Sequence, residues 1–515
     1  MRFAGAISVL TFCVGSTALA QSAVDREQRI TELQKQLDSI AAQLRELQDG
    51  PAAGSTSLES RLDGAIRQSP SETLREPRRL NISAPGLEGL DITGNVRVRG
   101  EVWNDYDRGA NGDSTGIGSE AALGFNAKVS EKSHVYLEPH AAFVWGDNTV
   151  HNLVGGPIGT GGGTAPNNSF FGNANSDVVV ITQAYLSVAD IYGSGWNMTA
   201  GRERVELGAE RMIGDDEWSL NRTTFDGFRL DRNLGEPGNV TVLAMRLKDP
   251  IHGTDYLGNA NSPEDTHGEL YGVYYSSQKN DQAGQFDVYL LHLEDENFQS
   301  GTPGDRTRWT TYGARWRTPS FGGLVVDAEA ATQFGEYFGQ DTNHDVGGDV
   351  WAFHADATYK AENVEFIDGF CVGYDYATGG DDVNNRHSFV QLYPSLHGWF
   401  GITDFFGWSN IIHFMAGASF KVEHGKLMLS YHRNRMASGE GGFVGYNNFG
   451  GSSRVNGGGK DLGHEFDLVY SVDCTKSTAV DLGIAYFLPE DGYTASVGGG
   501  KDNMTFGYLQ FRTRF

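Results

Sequence analysis

Past its opening twenty residues this chain nowhere strings together the ~18–20 apolar side chains that a membrane-spanning helix needs. Cysteine is scarce, with 3 in the whole chain, and Cys13 falls inside the first apolar stretch. The other two, Cys371 and Cys474, allow at most one disulfide, and nothing in the sequence brings them together; two unbridged thiols are expected. Positive charge is also short. Forty Lys and Arg stand against 66 Asp and Glu, a formal net charge of −26, which argues against a nucleic-acid partner. There is no nucleophile motif, and the Gly-rich run 155–163 lacks the strand–turn–helix setting of a phosphate loop. His413, His432 and His464 are scattered and show no metal-ligand spacing. No cofactor, metal site or enzyme activity is therefore expected. A barrel hydrolase would need a His with a Ser or Asp gathered on one wall, and the sequence offers no such grouping.

What is present begins with an export signal. Arg2, the apolar run Ala4–Val14 and the small residues Ala18-Leu19-Ala20 read as a signal peptide over 1–20, cut before Gln21. Residues 21–50 are expected to form a periplasmic coiled-coil helix. Ile30, Leu33, Leu37, Ile40, Leu44 and Leu47 recur at heptad spacing, and the mixture of Ile and Leu along the seam is compatible with a homotrimer. The same pattern also fits one amphipathic helix lying on a barrel or inside it. Residues 51–89, punctuated by Pro51, Gly54, Pro70, Pro77 and Pro85, read as a linker.

From 90 to 515 the pattern changes to a period of two. In the last strand Leu509, Phe511 and Phe515 share one face, while Tyr508, Gln510, Arg512 and Arg514 share the other. A strand with one greasy and one polar face, behind an export signal, fits an outer-membrane barrel with lipid outside and water inside. A closed barrel also pairs every backbone group in lipid, as any spanning structure must. About eighteen such segments can be counted. The intervening stretches alternate long and short, as surface loops and periplasmic turns should. The expected long ones are 105–119, 146–177, 203–224, 248–268, 294–308, 334–349, 377–409, 436–462 and 488–501. Trp103 and Trp145 at outer strand ends and Trp196 at an inner end suit interfacial girdles.

Three stretches carry a family resemblance. Gly201–Leu230 contains Gly-Arg-Glu, an Arg-hydrophobic-Gly core, Trp218 and the strand Arg222-Thr223-Thr224-Phe225-Asp226-Gly227. Gln391-Leu392-Tyr393-Pro394 leads to Gly401–Asn410, and Gly463-His464-Glu465-Phe466-Asp467-Leu468 precedes the closing strands. Together they resemble the alginate-export family of outer-membrane porins. The resemblance implies an eighteen-stranded barrel and passage of an anionic polysaccharide through an arginine-lined pore.

Strand parity points Arg97, Arg99, Arg229, Arg246, Arg315, Arg317, Arg512 and Arg514 into the lumen. It also points Asp91, Glu101, Glu138, Asp327, Glu329, Asp356, Glu465, Asp467 and Asp481 there, so cross-strand ion pairs are the plain structural reading. The functional reading is local clustering. Barrel closure sets the first strand beside the last, which would gather Arg97, Arg99, Arg512 and Arg514 into one basic stripe. Arginine's planar fork suits carboxylate and phosphate. The expectation is a passive outer-membrane porin embedded in lipid and passing hydrophilic anionic small molecules or polysaccharide. A phosphate-selective trimeric porin, or a plugged barrel anchored through its coiled coil, are the alternatives.

Overall fold

The computed structural model describes residues 89–515 except 105–113, 146–177, 221, 248–267, 296–306, 340–341, 362–363, 381–386, 396, 441–458 and 498–501. The signal peptide, coiled coil and linker lie outside the described residues.

Eighteen antiparallel strands form one closed sheet in which each strand pairs with its sequence neighbours and β1 pairs with β18. They are β1 (Gly89–Asn104), β2 (Ser114–Ser130), β3 (Ser133–Val144), β4 (Val178–Val188), β5 (Trp196–Glu203), β6 (Phe225–Asn233), β7 (Asn239–Leu247), β8 (Glu269–Ser276) and β9 (Gln285–Asp295). The second half holds β10 (Thr307–Arg317), β11 (Leu324–Gly339), β12 (Thr342–Lys360), β13 (Ile367–Ala377), β14 (Ile411–Val422), β15 (Gly425–Arg435), β16 (Asp461–Asp473), β17 (Thr478–Pro489) and β18 (Met504–Arg514). A short helix, α1 (Asp491–Val497), follows β17. Residues 334–349, expected as a surface loop, instead extend the β11–β12 hairpin almost to its tip. Backbone pairing carries on there beyond the alternating stretch used to place the strands.

The period of two does what lipid requires. Val96, Val102, Leu290, Phe370, Val372, Phe414, Phe466, Ile484, Leu509 and Phe511 are all exposed on the outside. Their neighbours point into the barrel. Closure is tight at one place. The Gly94 amide donates to the Phe515 carbonyl at 2.8 Å, and the Phe515 amide donates back to the Gly94 carbonyl at 3.0 Å. The Phe515 ring lies where a side chain on Gly94 would be, since an added Cβ would sit 2.1 Å from it. Only glycine fits beneath that ring.

The inside is not simply wet. Leu243, Met245, Leu270, Leu291, Leu293 and Trp309 face inward and are buried. They pack in one apolar cluster with side chains of two long connections, 204–224 and 378–410, which fold into the barrel instead of standing above it. On β7 the inner face is therefore the apolar one. Arg246, expected inside, points outward, and its Nη2 donates to Glu269 at 2.7 Å. The parity rule equates apolar with lipid, and it fails where a loop supplies the apolar partner. Trp103 is corrected for a different reason: it shares the inner face of Arg97, Arg99 and Glu101, as parity has it, and stacks on Phe506 at 4.0 Å, so its place near a strand end does not make it part of an outer girdle. The outward pairs Arg202–Asp226, Arg246–Glu269 and Arg308–Glu294 sit at the outer ends of β5–β10. Charge on that face belongs where water resumes.

Candidate functional site: the lumen and its two inward loops

Loop 204–224 enters the barrel because its sequence alternates anchors with turns. Val205, Met212, Ile213 and Leu220 are buried against the wall. Positive φ at Gly208 (60°), Glu210 (57°) and Asp216 (51°) bends the backbone between them. Gly214 leaves room for Ser395 of the other loop, whose Oγ lies 2.4 Å from where a Gly214 Cβ would be. The two loops are stitched by main chain. The Tyr393 amide donates to the Met212 carbonyl (2.8 Å), Gly214 to Tyr393 (2.7 Å) and Ser395 to Glu210 (3.0 Å).

The tip of loop 204–224 lands on the basic stripe. Arg97 and Arg512 are register partners across the β1–β18 seam, as closure implied. Arg97 donates to the carbonyls of Glu217 and Ser219, both at 2.7 Å, and pairs with Glu120 at 2.9 Å. Arg99 donates to the Trp218 carbonyl at 2.8 Å and to Glu101 at 2.6 Å, and its guanidinium lies 3.6 Å above the Trp218 ring. Arg512 donates to Glu217 at 3.0 Å, and Arg514 pairs with the same carboxylate. The stripe exists, but loop carboxylate and loop carbonyls cover it. Arg222 continues the network to Asp215 (2.9 Å) and Glu217 (3.1 Å), and Arg204 pairs with Glu138.

The remaining arginines stand apart from the stripe. Arg229 faces the lumen between Glu203 (3.1 Å) and Asp231 (2.9 Å). Arg315 is held by Asp287 (3.2 Å) and by Asp327, which Arg317 also approaches at 3.6 Å. Arg246, as described, is outside. Arg204, Arg229 and Arg514 keep 21%, 30% and 26% of their side chains accessible, more than Arg97 or Arg99.

Charge on loop 204–224 is tuned unevenly. Burial opposes ionisation of Glu217, but Arg222, Arg514, Arg512 and Arg97 override it and hold its carboxyl well below the usual range. Burial also works against the Arg222 charge, yet Glu217, Asp215 and Glu120 keep its pKa well above normal. Glu206 behaves in the opposite way. The residue is exposed, but the protein packed around its carboxyl costs it hydration and Asp215 and Glu217 repel it, so its pKa rises to about 7.

Loop 378–410 is held differently. Phe389, Leu392, Trp399, Phe400, Phe405 and Trp408 are buried within it. Beneath it runs a chain of side chains that sequence reasoning missed. Asp356 and His354 (2.9 Å), His354 and Asp375 (2.6 Å), Asp375 and His413 (2.9 Å), and His413 and His432 (3.0 Å) are in sequential contact. His432 then meets Asp467 at 3.3 Å. Far from scattered, His413 and His432 belong to one ladder across β12–β16. His464 stands apart, bonded to Tyr431. Inward parity at matched heights was the available signal, but it needs the strand register. The loop sits on this ladder: the Thr403 amide donates to Glu465 at 2.9 Å and the Ile402 amide to Asp467 at 3.3 Å. Among the described residues no group of three His, Cys, Asp or Glu is arranged to hold a metal ion.

The alginate export family model matches residues 89–506. The chain belongs to the alginate-export family. It is an outer-membrane channel protein and not an enzyme. Solved porins of Pseudomonas aeruginosa share the barrel. OccK8 (OprE) gives a TM-score of 0.52 at 11% identity, covering 83% of this chain and 98% of that one. OccK2 (OpdF) in complex with glucuronate gives 0.52 at 12%, covering 83% and 98%. OpdK with vanillate gives 0.51 at 11%, covering 82% and 98%. No curated protein matches the chain. The three stretches that carry the resemblance prove to be neighbours in this alginate-export barrel: the two inward loops and the Glu465–Asp467 segment of β16 that receives the second.

Proposed function

We propose that the channel passes hydrophilic, acidic solutes past the accessible lumenal arginines Arg204, Arg229 and Arg514. The observation that carries this reading is the uneven use of arginine. Arg97 and Arg99 are spent on holding loop 204–224, whereas these three keep an open edge toward water beside it. Their paired carboxylates make the lining mixed, so the preference is for a solute that presents its own planar anion to the fork, not for any anion. Glucuronate in OccK2 and vanillate in OpdK are both carboxylates, which agrees with this class. Two loops packed inside the barrel favour small acids or short oligosaccharides over a bulky polymer. A phosphate-selective trimer is the second reading, favoured by the same guanidinium chemistry. In this proposal the coiled coil of residues 21–50 lies in the periplasm and joins three copies.

Reversal potentials in planar bilayers, with sodium glucuronate, chloride or phosphate on one side, test the proposal. Arg229→Ala combined with Arg514→Gln should lower the preference for carboxylates by several-fold. An unchanged preference would overturn it, and a loss confined to phosphate would favour the second reading.

A further inference from the structure

Below the histidine ladder, on the same stretch of inner wall, three sulfur side chains meet. Cys371 of β13, Met415 of β14 and Met428 of β15 form a small cluster of their own, each no more than 6% exposed, with Val469 beside it. Cys371 Sγ lies 3.5 Å from Met415 Sδ. The cluster is arranged around Gly417, the register partner of Cys371. An added Cβ on Gly417 would lie 2.8 Å from Cys371 Sγ and 3.0 Å from the Met428 methyl. The missing side chain thus opens a niche that the Cys371 thiol and the methyl end of Met428 enter from neighbouring strands, with the Met415 thioether two residues before Gly417 on β14.

We propose that this niche is a binding site for a soft monovalent cation, copper(I) or silver(I). One thiol and two thioethers form a donor set that selects copper(I) over harder metals. Binding releases the Cys371 proton to lumenal water and leaves a thiolate with a single positive ion. The product is neutral, so an apolar niche holds it without a counter-charge. A divalent ion there would leave an unpaired buried charge, which is costly. The spacing is close to what is needed. With metal–sulfur bonds of about 2.3 Å, as for zinc thiolate, sulfurs 3.5 Å apart subtend about 100° at the metal. A few tenths of an ångström of spreading by the flexible Met415 side chain reaches trigonal geometry. Cys474 is exposed on a turn, outside this buried cluster, so it serves as an internal control.

The test uses the full-length protein in detergent, titrated with silver nitrate and, under reducing conditions, with copper(I) in competition with a chromogenic chelator. The expected result is one equivalent bound per chain in the native protein and in Cys474→Ser. Cys371→Ser should abolish the equivalent, and Met415→Leu and Met428→Leu should each weaken it by tenfold or more. Heat-modifiable mobility on gels verifies that each variant still forms its barrel. X-ray absorption of the copper(I) form should give a sulfur-only shell. No bound equivalent, one that survives Cys371→Ser, one lost instead with Cys474→Ser, or a shell of nitrogen and oxygen would each overturn the proposal.

Discussion

The two inward loops fill one barrel with different emphasis. The tip of loop 204–224 is pinned by charge: Glu217 gathers Arg222, Arg512 and Arg514, and Arg97 and Arg99 grip its carbonyls. Loop 378–410 is pinned by aromatic bulk, with Phe400, Phe405 and Trp408 sealed from water. The difference matters because the two kinds of anchor answer to different conditions. Ion pairs at a water-lined surface weaken with salt and depend on protonation. Buried rings do neither. The part of the lumen lined by the tip of loop 204–224 is thus one that salt can adjust.

The sharpest way to break the contrast is to remove an aromatic anchor. Trp408→Ala should cost about 3–5 kcal/mol, the usual loss for a buried tryptophan. It should appear as a lower unfolding temperature in detergent together with larger, noisier single-channel conductance. Glu217→Gln should cost less, about 2 kcal/mol, because Glu217 keeps 22% of its side chain accessible. Its effect should fall on selectivity: freed arginines raise the anion preference, and the gain should shrink in high salt. An increase indifferent to salt would mean that the loop is not held by charge. Smaller again is the influence of Glu206. Its raised pKa, about 7, means that the carboxyl is neutral below that pH and charged above it. Anion preference should therefore drop as pH rises through about 7 in the native channel, and Glu206→Gln should remove the step. Glu217, held low by its arginines, stays ionised across the same window and contributes no step. Arg246→Ala, on the outer face, should change stability by about 0–1 kcal/mol and leave ion selectivity untouched.

The wall itself was legible because lipid and water impose the same alternation on every strand, and the alternation of long and short connections kept the count honest. Arg97, Arg99, Arg229, Arg315, Arg317, Arg512 and Arg514 all face inward as parity required. Arg246 departs from parity because the interior at its height is packed with loop side chains, which inverts the meaning of an apolar face, whereas Trp103 obeys parity and only its place at a strand end suggests a girdle. The ladder from Asp356 to Asp467 was invisible for another reason. Its members are on separate strands, and only inter-strand register sets them level. The loops were visible as words but not as places. Their distinctive residues stand out in the sequence, yet nothing local says that a long connection turns inward.

The seam between β1 and β18 carries one more implication. Arg97 and Arg512 come from opposite extremes of the barrel sequence, so the wall stays open until that seam pairs. Until then two raw sheet margins, each with unpaired amides and carbonyls, must be shielded from hydrocarbon and from one another's wrong partners. Loop 204–224 bears on that moment, since Glu217 and its neighbours bind arginines from both margins at once. A tip that bridges the gap from within would act as a clasp, drawing the two edges into register before the last backbone bonds close.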